Sequence, residues 1–122
     1  MGLSSSLKIA IPLAGMVICA SAHAADAARG KELYESRCIG CHSIDANRVG
    51  PAHKGVYGRK AGSVKDYDYS PALKKAKVVW DRKTLDRWLA NPQAVVPGTK
   101  MGYAVPDAKD RADLIEYLRT QK

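Results

Sequence analysis

Two cysteines and a histidine stand together at residues 38–42, in the order Cys38-Ile39-Gly40-Cys41-His42. The pattern Cys-x-x-Cys-His is typical of the attachment site of a c-type haem. Its two thiols can form thioether bonds with the vinyl groups on one porphyrin edge. The histidine that follows can donate an imidazole nitrogen to the iron. We therefore expect a cofactor at the centre of the fold, enclosed by the rest of the chain.

The first 24 residues predict a cleaved secretory signal peptide. They carry a single charge, Lys8, followed by an apolar run and then by small residues that end at Ala24. A membrane anchor is the alternative, but the apolar run is shorter than the roughly 20 residues that span a bilayer, and Pro12 interrupts it. We expect cleavage near Ala24, export to the periplasm without stable membrane insertion, and one domain over residues 25–122.

The charge of the chain favours acidic partners. The net charge is +8, and because the signal peptide removes only Lys8, it becomes +7 after cleavage. A basic balance on a small exported protein steers its encounter with acidic surfaces. Export and the lack of a dense Lys/Arg block argue against nucleic acid as the partner. After cleavage the only cysteines are Cys38 and Cys41, which suits an oxidising compartment.

Hydrophobic periodicity predicts about four helices and no strand pair, so we expect a small all-α fold. The predicted helices are Asp26 to about Arg37, Ser70 to about Lys77, Asp81–Ala90 and Pro106 to about Arg119. Gly30 lies inside the first of them, where a glycine costs about 1 kcal/mol relative to alanine. Such a cost is tolerated where another backbone comes close, so Gly30 predicts a helix crossing.

Residues 43–69 and 93–105 are rich in glycine and proline and show no period. Loops of this length are unusual in a compact domain unless they have a function. Packing on a haem would supply that function, because a domain of this size builds only a thin core of its own.

The second axial ligand of the iron decides whether a c-type haem transfers electrons or performs chemistry. Met101 is the only methionine after residue 24, and it lies in an irregular loop between Pro97 and Val105. Its soft thioether would favour Fe(II) and raise the reduction potential. His53 is the alternative ligand and would give a haem of lower potential. Because it follows Cys41 closely, we expect it at the surface or near the propionates instead.

Two other interpretations of the cysteines remain open at this point. Cys38, Cys41, His42 and His53 could form a Cys2His2 zinc site, although adjacent ligands fit poorly around one tetrahedral ion. A redox-active Cys-x-x-Cys would require a βαβ context, which the sequence does not indicate.

Beyond the haem motif, several blocks between Gly30 and Leu118 match the pattern of a known family. The blocks are Cys38-x-x-Cys-His42, Gly50-Pro51, Gly58-Arg59-Lys60-x-Gly62, Tyr69-Ser70, Trp80, Asn91-Pro92, Pro97-Gly98-Thr99-Lys100-Met101 and Arg111-Ala112-Asp113-Leu114-Ile115-x-Tyr117-Leu118. With these blocks the sequence resembles the class I c-type cytochromes, of the bacterial cytochrome c2 and mitochondrial cytochrome c type.

The resemblance implies the cytochrome c fold around one covalent haem c, attached through Cys38 and Cys41. It implies His42 as the proximal and Met101 as the distal iron ligand, with the Pro51 carbonyl accepting a hydrogen bond from His42. Four further positions match the family's donors around the propionates, namely Arg59, Tyr69, Trp80 and Thr99.

The chain also departs from the family at one position near the haem. Trp88 stands where many relatives have a tyrosine whose hydroxyl contacts the methionine sulfur. Because indole offers only an N–H donor, that hydrogen bond is not expected here.

From these features we predict a soluble, monomeric, periplasmic one-electron carrier and not an enzyme. Its expected partners are acidic-surfaced redox proteins of respiration or photosynthesis: a quinol-cytochrome c reductase, a terminal oxidase, a reaction centre, or a periplasmic dehydrogenase or reductase. Lysines that could steer docking are Lys31, Lys54, Lys100 and Lys109. The alternatives are a haem protein with an open sixth site, for peroxidatic chemistry or gas sensing, and a haem subunit permanently bound to a larger enzyme.

Overall fold

Five helices form between residues 24 and 122, and no strand occurs in the part of the chain that the structure describes. This computed structural model describes residues 1–2, 9–12, 15–17 and 24–122, so most of the predicted signal peptide lies outside the described residues. The helices are α1 (Ala27–Arg37), α2 (Pro71–Lys75), α3 (Arg82–Ala90), α4 (Pro92–Val95) and α5 (Ala108–Thr120). The predicted all-α class is confirmed. None of the helices described is long and apolar enough to cross a membrane.

Each helix begins after a side chain that accepts a backbone N–H from its first turn. The five N-cap residues are Asp26, Ser70, Asp81, Asn91 and Asp107. The first N–H groups of a helix have no partner within the helix, which explains why short polar side chains mark these starts. The four predicted helices therefore begin within about two residues of their predicted positions.

Helix α4 is the element that the sequence analysis did not predict. Asn91-Pro92 was expected only to end α3, and it does so. The Asn91 side chain also accepts the Ala94 N–H at 3.3 Å, and Pro92 occupies the first helical position, where its missing N–H costs nothing. Residues 24–122 consequently contain five helices rather than about four.

Helices α1 and α5 cross at Gly30, as its position predicted. A Cβ atom added to Gly30 would overlap the carbonyl oxygen of Asp113 and lie 2.9 Å from the Cβ of Tyr117. The two backbones are thus too close for any other residue. The crossing brings the first and last helices of residues 24–122 together and closes one end of the core.

A buried carboxylate adds polar contacts to the same crossing. Asp113 is fully buried and accepts hydrogen bonds from the Asp26 backbone N–H at 2.8 Å, from Arg29 at 2.6 Å and from Lys109 at 2.8 Å. A buried charge is tolerated when it is paired and hydrogen-bonded in this way. The N-terminus of α1 is therefore attached to the middle of α5.

Candidate haem site

The loops and helices surround one cavity of about 320 Å³. Aliphatic and aromatic side chains from α1, α2, α3 and α5 form much of its wall, including Leu73, Leu85, Leu89 and Leu114. All nine residues predicted for the haem site also line it: Cys38, Cys41, His42, Pro51, Arg59, Tyr69, Trp80, Thr99 and Met101. Residues far apart in the sequence thus meet around one space.

The Cys-x-x-Cys-His motif continues directly from the end of α1. Cys38 is the C-cap of the helix, and its N–H donates to the Tyr34 carbonyl at 2.8 Å. The N–H groups of Cys41 and His42 both donate to the Cys38 carbonyl, at 3.1 and 2.8 Å. This tight turn places both thiols and the imidazole on the wall of the cavity.

The two thiols differ in their surroundings. Cys38 is half-buried and Cys41 is exposed, and both are free cysteines. Burial raises the pKa of the Cys38 thiol to about 11. At neutral pH Cys38 is therefore a protonated thiol rather than a thiolate.

His42 is fixed through one of its two ring nitrogens. Its Nδ1 lies 2.9 Å from the Pro51 carbonyl oxygen, and because a carbonyl can only accept, Nδ1 carries the proton. Burial lowers the pKa of His42, an effect that the bond to Pro51 opposes. The ring is thus neutral at pH 7, and its Nε2 lone pair remains available for a metal.

Gly50 lies directly against the His42 ring. A Cβ on Gly50 would overlap this ring, with Nδ1 at 2.5 Å and Nε2 at 2.6 Å. The Gly50 N–H donates to the Cys41 carbonyl at 2.8 Å, and this bond folds the loop back onto the motif. Only a glycine leaves room for the imidazole at this point, so the Gly50-Pro51 pair both admits and orients His42.

Met101 reaches the cavity from the loop that follows α4. Gly98 adopts a left-handed conformation with φ +88°, which favours glycine. The Gln93 side chain accepts the Gly98 N–H at 3.0 Å and donates to the carbonyls of Thr99 at 2.8 Å and Met101 at 3.4 Å. The sequence analysis did not identify Gln93, since an exposed glutamine on a four-residue helix carries no motif.

Backbone pairing places Arg59 and Trp80 side by side. The Trp80 N–H donates to the Arg59 carbonyl at 2.9 Å, beside an isolated antiparallel bridge between Lys60 and Val79. The Arg59 guanidinium donates to the Lys54 and Ala52 carbonyls, both at 3.0 Å. Burial lowers the pKa of Arg59. Arg59 thus also braces the loop that follows Pro51.

The remaining propionate-side candidates also line the cavity. The Tyr69 hydroxyl accepts the Val64 N–H at 3.0 Å, and Thr99 is buried. Trp80 makes an edge-to-face contact with Trp88, with ring centroids 5.1 Å apart. Trp88 also lines the cavity, so two indoles in contact contribute to its wall.

His53 was expected at the surface or near the propionates, and the structure does not place it at the surface. It is half-buried, and its ring stacks on that of His42 with centroids 4.0 Å apart and planes inclined by 21°. Burial lowers its pKa well below the usual value. His53 therefore lies on the same side of the cavity as His42, and no sequence signal indicated this stacking.

The residues around the cavity fit a haem. Two thiols and an imidazole stand in the attachment pattern, a thioether reaches the same space, and the walls are largely apolar. The zinc alternative finds no support, because within the described ranges no three His, Cys, Asp or Glu side chains form a group that could hold a metal ion. A dithiol alternative lacks its βαβ context among the same residues.

Comparisons with known proteins identify the family of this chain. The family model for cytochrome c matches residues 27–122. The chain is 50% identical to a cytochrome c of Euglena viridis over 100 residues, covering 80% of this chain and 98% of the relative. It is 43% identical to a cytochrome c2 of Rhodomicrobium vannielii over 121 residues, covering 95% and 96%.

A solved structure shows the same architecture. Cytochrome cH from Methylobacterium extorquens superposes with a TM-score of 0.74 at 45% identity, covering 78% of this chain and 98% of that protein. The predicted fold is thereby confirmed, and with it the predicted cofactor, one covalently attached haem c. Since the family model spans more than three quarters of the sequence, the chain belongs to the cytochrome c family.

Proposed function

We propose that this cytochrome is a soluble periplasmic one-electron carrier whose haem iron is ligated by His42 and Met101. Members of the family carry electrons through a haem. The observation that carries the finer proposal is that His42 and Met101 line one cavity from separate segments, with Nδ1 of His42 bonded to the Pro51 carbonyl at 2.9 Å. That bond leaves Nε2 as the coordinating atom.

When bound, the haem supplies a Fe(III)/Fe(II) couple. The chain's contribution is to hold an imidazole and a thioether at fixed positions and to keep the space between them apolar. If His42 and Met101 both held the iron, no position on it would remain for a substrate. This arrangement supports electron transfer rather than catalysis, and the Gln93 bonds to the methionine loop keep the thioether in place.

Cys38 and Cys41 are proposed to form the two thioether bonds. Arg59, Tyr69, Trp80 and Thr99 are proposed to surround the propionates. Their common position on the cavity wall supports this assignment. Arg59 retains guanidinium donors beyond those given to the two loop carbonyls, because guanidinium has five N–H groups.

The proposed periplasmic location depends on the first 24 residues. We propose that they are a cleaved signal peptide and that residues 25–122 form one domain. The alignment with the Rhodomicrobium vannielii cytochrome c2 supports this, because it covers 95% of the chain and therefore reaches into that segment. Mass spectrometry of the exported holoprotein would test it. A mature N-terminus at or near Ala25 is expected, and retention of Met1 on the exported protein would contradict it.

The proposed partners are acidic-surfaced redox proteins, among them a quinol-cytochrome c reductase, a terminal oxidase, a reaction centre, or a periplasmic dehydrogenase or reductase. Of the four lysines considered for docking, Lys100 lines the cavity. Lys31 pairs with Glu35 at 3.8 Å, and Lys109 pairs with the buried Asp113 at 2.8 Å. Lys100 also contacts Asp68, donating to its carbonyl at 2.9 Å and lying 3.5 Å from its carboxylate. Among the four lysines it is the one that lines the cavity. For that reason we propose Lys100 as the principal docking charge and treat Lys109 as structural.

Absorption spectroscopy of the native protein and of Met101→Ala tests the ligand assignment. A methionine–iron charge-transfer band is expected in the oxidised native protein and not in the variant. The variant should also have a lower reduction potential and bind CO when reduced. Native protein that lacks the band and binds CO readily at neutral pH would favour the open-site alternative and overturn the carrier.

A further inference from the structure

We propose that His53 and Tyr34 are positioning residues that hold the ring of the proximal histidine, His42, in one orientation. The inference rests on the proposed function, in which His42 ligates the iron. It concerns two side chains that the cytochrome fold alone does not explain: a half-buried imidazole beside the ligand and a buried hydroxyl bonded to it.

The first contact is the stack between the two imidazoles. The ring centroids of His42 and His53 lie 4.0 Å apart, and the planes are inclined by only 21°. The His53 backbone is itself held, because its N–H donates to the Ser43 carbonyl at 3.0 Å. One face of the His42 ring is therefore covered by the His53 ring, and the His53 backbone is held in place.

The second contact holds the covering ring. The Tyr34 hydroxyl and Nδ1 of His53 lie 2.9 Å apart and share a hydrogen bond, and the two rings meet edge to face at 5.6 Å. Tyr34 is buried within α1 and also packs on Tyr117 of α5, with centroids 5.4 Å apart. The crossing of the first and last helices thus supports His53 through Tyr34.

These contacts add a restraint that the Pro51 carbonyl cannot provide. A hydrogen bond at Nδ1 fixes the tautomer and one edge of the ring, but the ring can still tilt about that bond. A flat neighbour along one face blocks the tilt. The orientation of an axial imidazole and the polarity beside it are among the ways a protein tunes a haem, so His53 should influence the iron without touching it.

The test uses the holoprotein with three variants: His53→Leu, Tyr34→Phe and the double variant. Electron paramagnetic resonance of the ferric state reports ligand orientation through its g-values, and redox titration gives the midpoint potential. We expect His53→Leu to shift the g-values. It should also raise the potential by about 30 mV, a roughly threefold change in the equilibrium constant for one electron, because an apolar side chain disfavours the more charged ferric form.

Tyr34→Phe should shift the g-values in the same sense by a smaller amount. Because Tyr34 acts through His53, adding it to His53→Leu should change the spectrum and the potential no further. Tyr117→Phe is the matched control, since it removes a hydroxyl from the same helix crossing without a bond to His53, and it should leave both quantities unchanged. His53→Gln restores a hydrogen-bonding group for Tyr34 without an aromatic face, and should still shift the g-values.

Unchanged g-values and potential in His53→Leu and His53→Gln would overturn the inference. So would effects of Tyr34→Phe and His53→Leu that simply add, or an equal effect of Tyr117→Phe. Failure of the proposed function itself looks different: the native protein would then lack the low-spin signature of a histidine–methionine haem before any substitution is made.

Discussion

Gly30 and Asp113 bring two helix backbones into direct contact, because a Cβ on Gly30 would overlap the Asp113 carbonyl oxygen and lie 2.6 Å from its carbon. The opposing atoms are backbone, so they cannot move aside like the end of a flexible side chain. The packing of α1 on α5 therefore depends on the absence of a side chain at one position.

Gly30→Ala is expected to destabilise the holoprotein by about 2 kcal/mol. The overlap costs about 3 kcal/mol because the helices must separate, and alanine returns about 1 kcal/mol through its helix propensity. Urea unfolding followed by circular dichroism measures the difference. Glu32→Ala, at an exposed position of the same helix, should change stability little, and a Gly30→Ala protein as stable as the native one would contradict the crossing.

Gln93→Ala should loosen the loop that holds Met101. The side chain makes three bonds to this loop, each worth about 1 kcal/mol when made in the folded protein. The methionine–iron charge-transfer band should disappear at a lower urea concentration than in the native protein, while the helical signal persists. The control is Gln121→Ala, whose side chain bonds its neighbour Thr120. If the charge-transfer band of Gln93→Ala disappeared at the same urea concentration as in the native protein, Gln93 would have no role in holding the loop.

The carboxylate at Asp113 should make the protein sensitive to acid. Burial alone would raise the pKa of Asp113, but hydrogen bonds from Lys109, the Asp26 backbone and Arg29 outweigh it and lower the pKa to about 2. An unfolded aspartate titrates near pH ~3.9. The stabilisation is therefore complete above about pH 4 and is lost as the pH falls towards about 2, by about 1–2 kcal/mol after allowance for solvent screening.

Asp113→Asn should remove this component of the pH dependence. The free energy of unfolding, measured by urea titration between pH 2 and 7, should then vary less across the acid range and be lower at pH 7. Asp86→Asn, which alters a half-exposed carboxylate paired with Arg111, should retain the native pH profile. An identical acid profile in the native and Asp113→Asn proteins would show that the network does not contribute.

Electron transfer with an acidic partner should slow as salt rises. The chain is strongly basic, with a net charge of +8, and ions screen charges beyond about 8 Å at physiological ionic strength. Lys100→Gln should reduce both the second-order rate and its dependence on salt in stopped-flow measurements. Lys83→Gln removes the same charge from a surface pocket outside the haem cavity, and it should reduce the rate less than Lys100→Gln does. A native rate that does not change with salt would contradict electrostatic steering.

Much of the local structure could be predicted from the sequence because its signals are local. Asp26, Ser70, Asp81 and Asp107 mark helix starts, since a capping side chain acts within three residues of its own position. The cost of Gly30 within a helix indicated a close approach of another element. By contrast, α4 was missed because Asn91 ends one helix and begins the next, which a stop signal alone does not reveal.

The sequence also predicted the attachment motif and Met101 as the ligand candidate. The motif is recognised by its spacing, and Met101 is the only methionine after residue 24. Contacts between distant segments could not be predicted from the sequence. The stack of His53 on His42, the bond from Tyr34 and the hold of Gln93 on the methionine loop carry no periodicity or motif. They arise only when the loops fold back around the cavity.

The sequence by itself predicted the cofactor, the motif proposed to attach it and four of the five helices in residues 24–122, since those depend on neighbouring residues and their chemistry. Only the tertiary structure decided how the His42 imidazole is held. Pro51 bonds it, Gly50 makes room for it and His53 covers its face. A ring's orientation depends on atoms brought together by the whole fold, and no short stretch of sequence contains them.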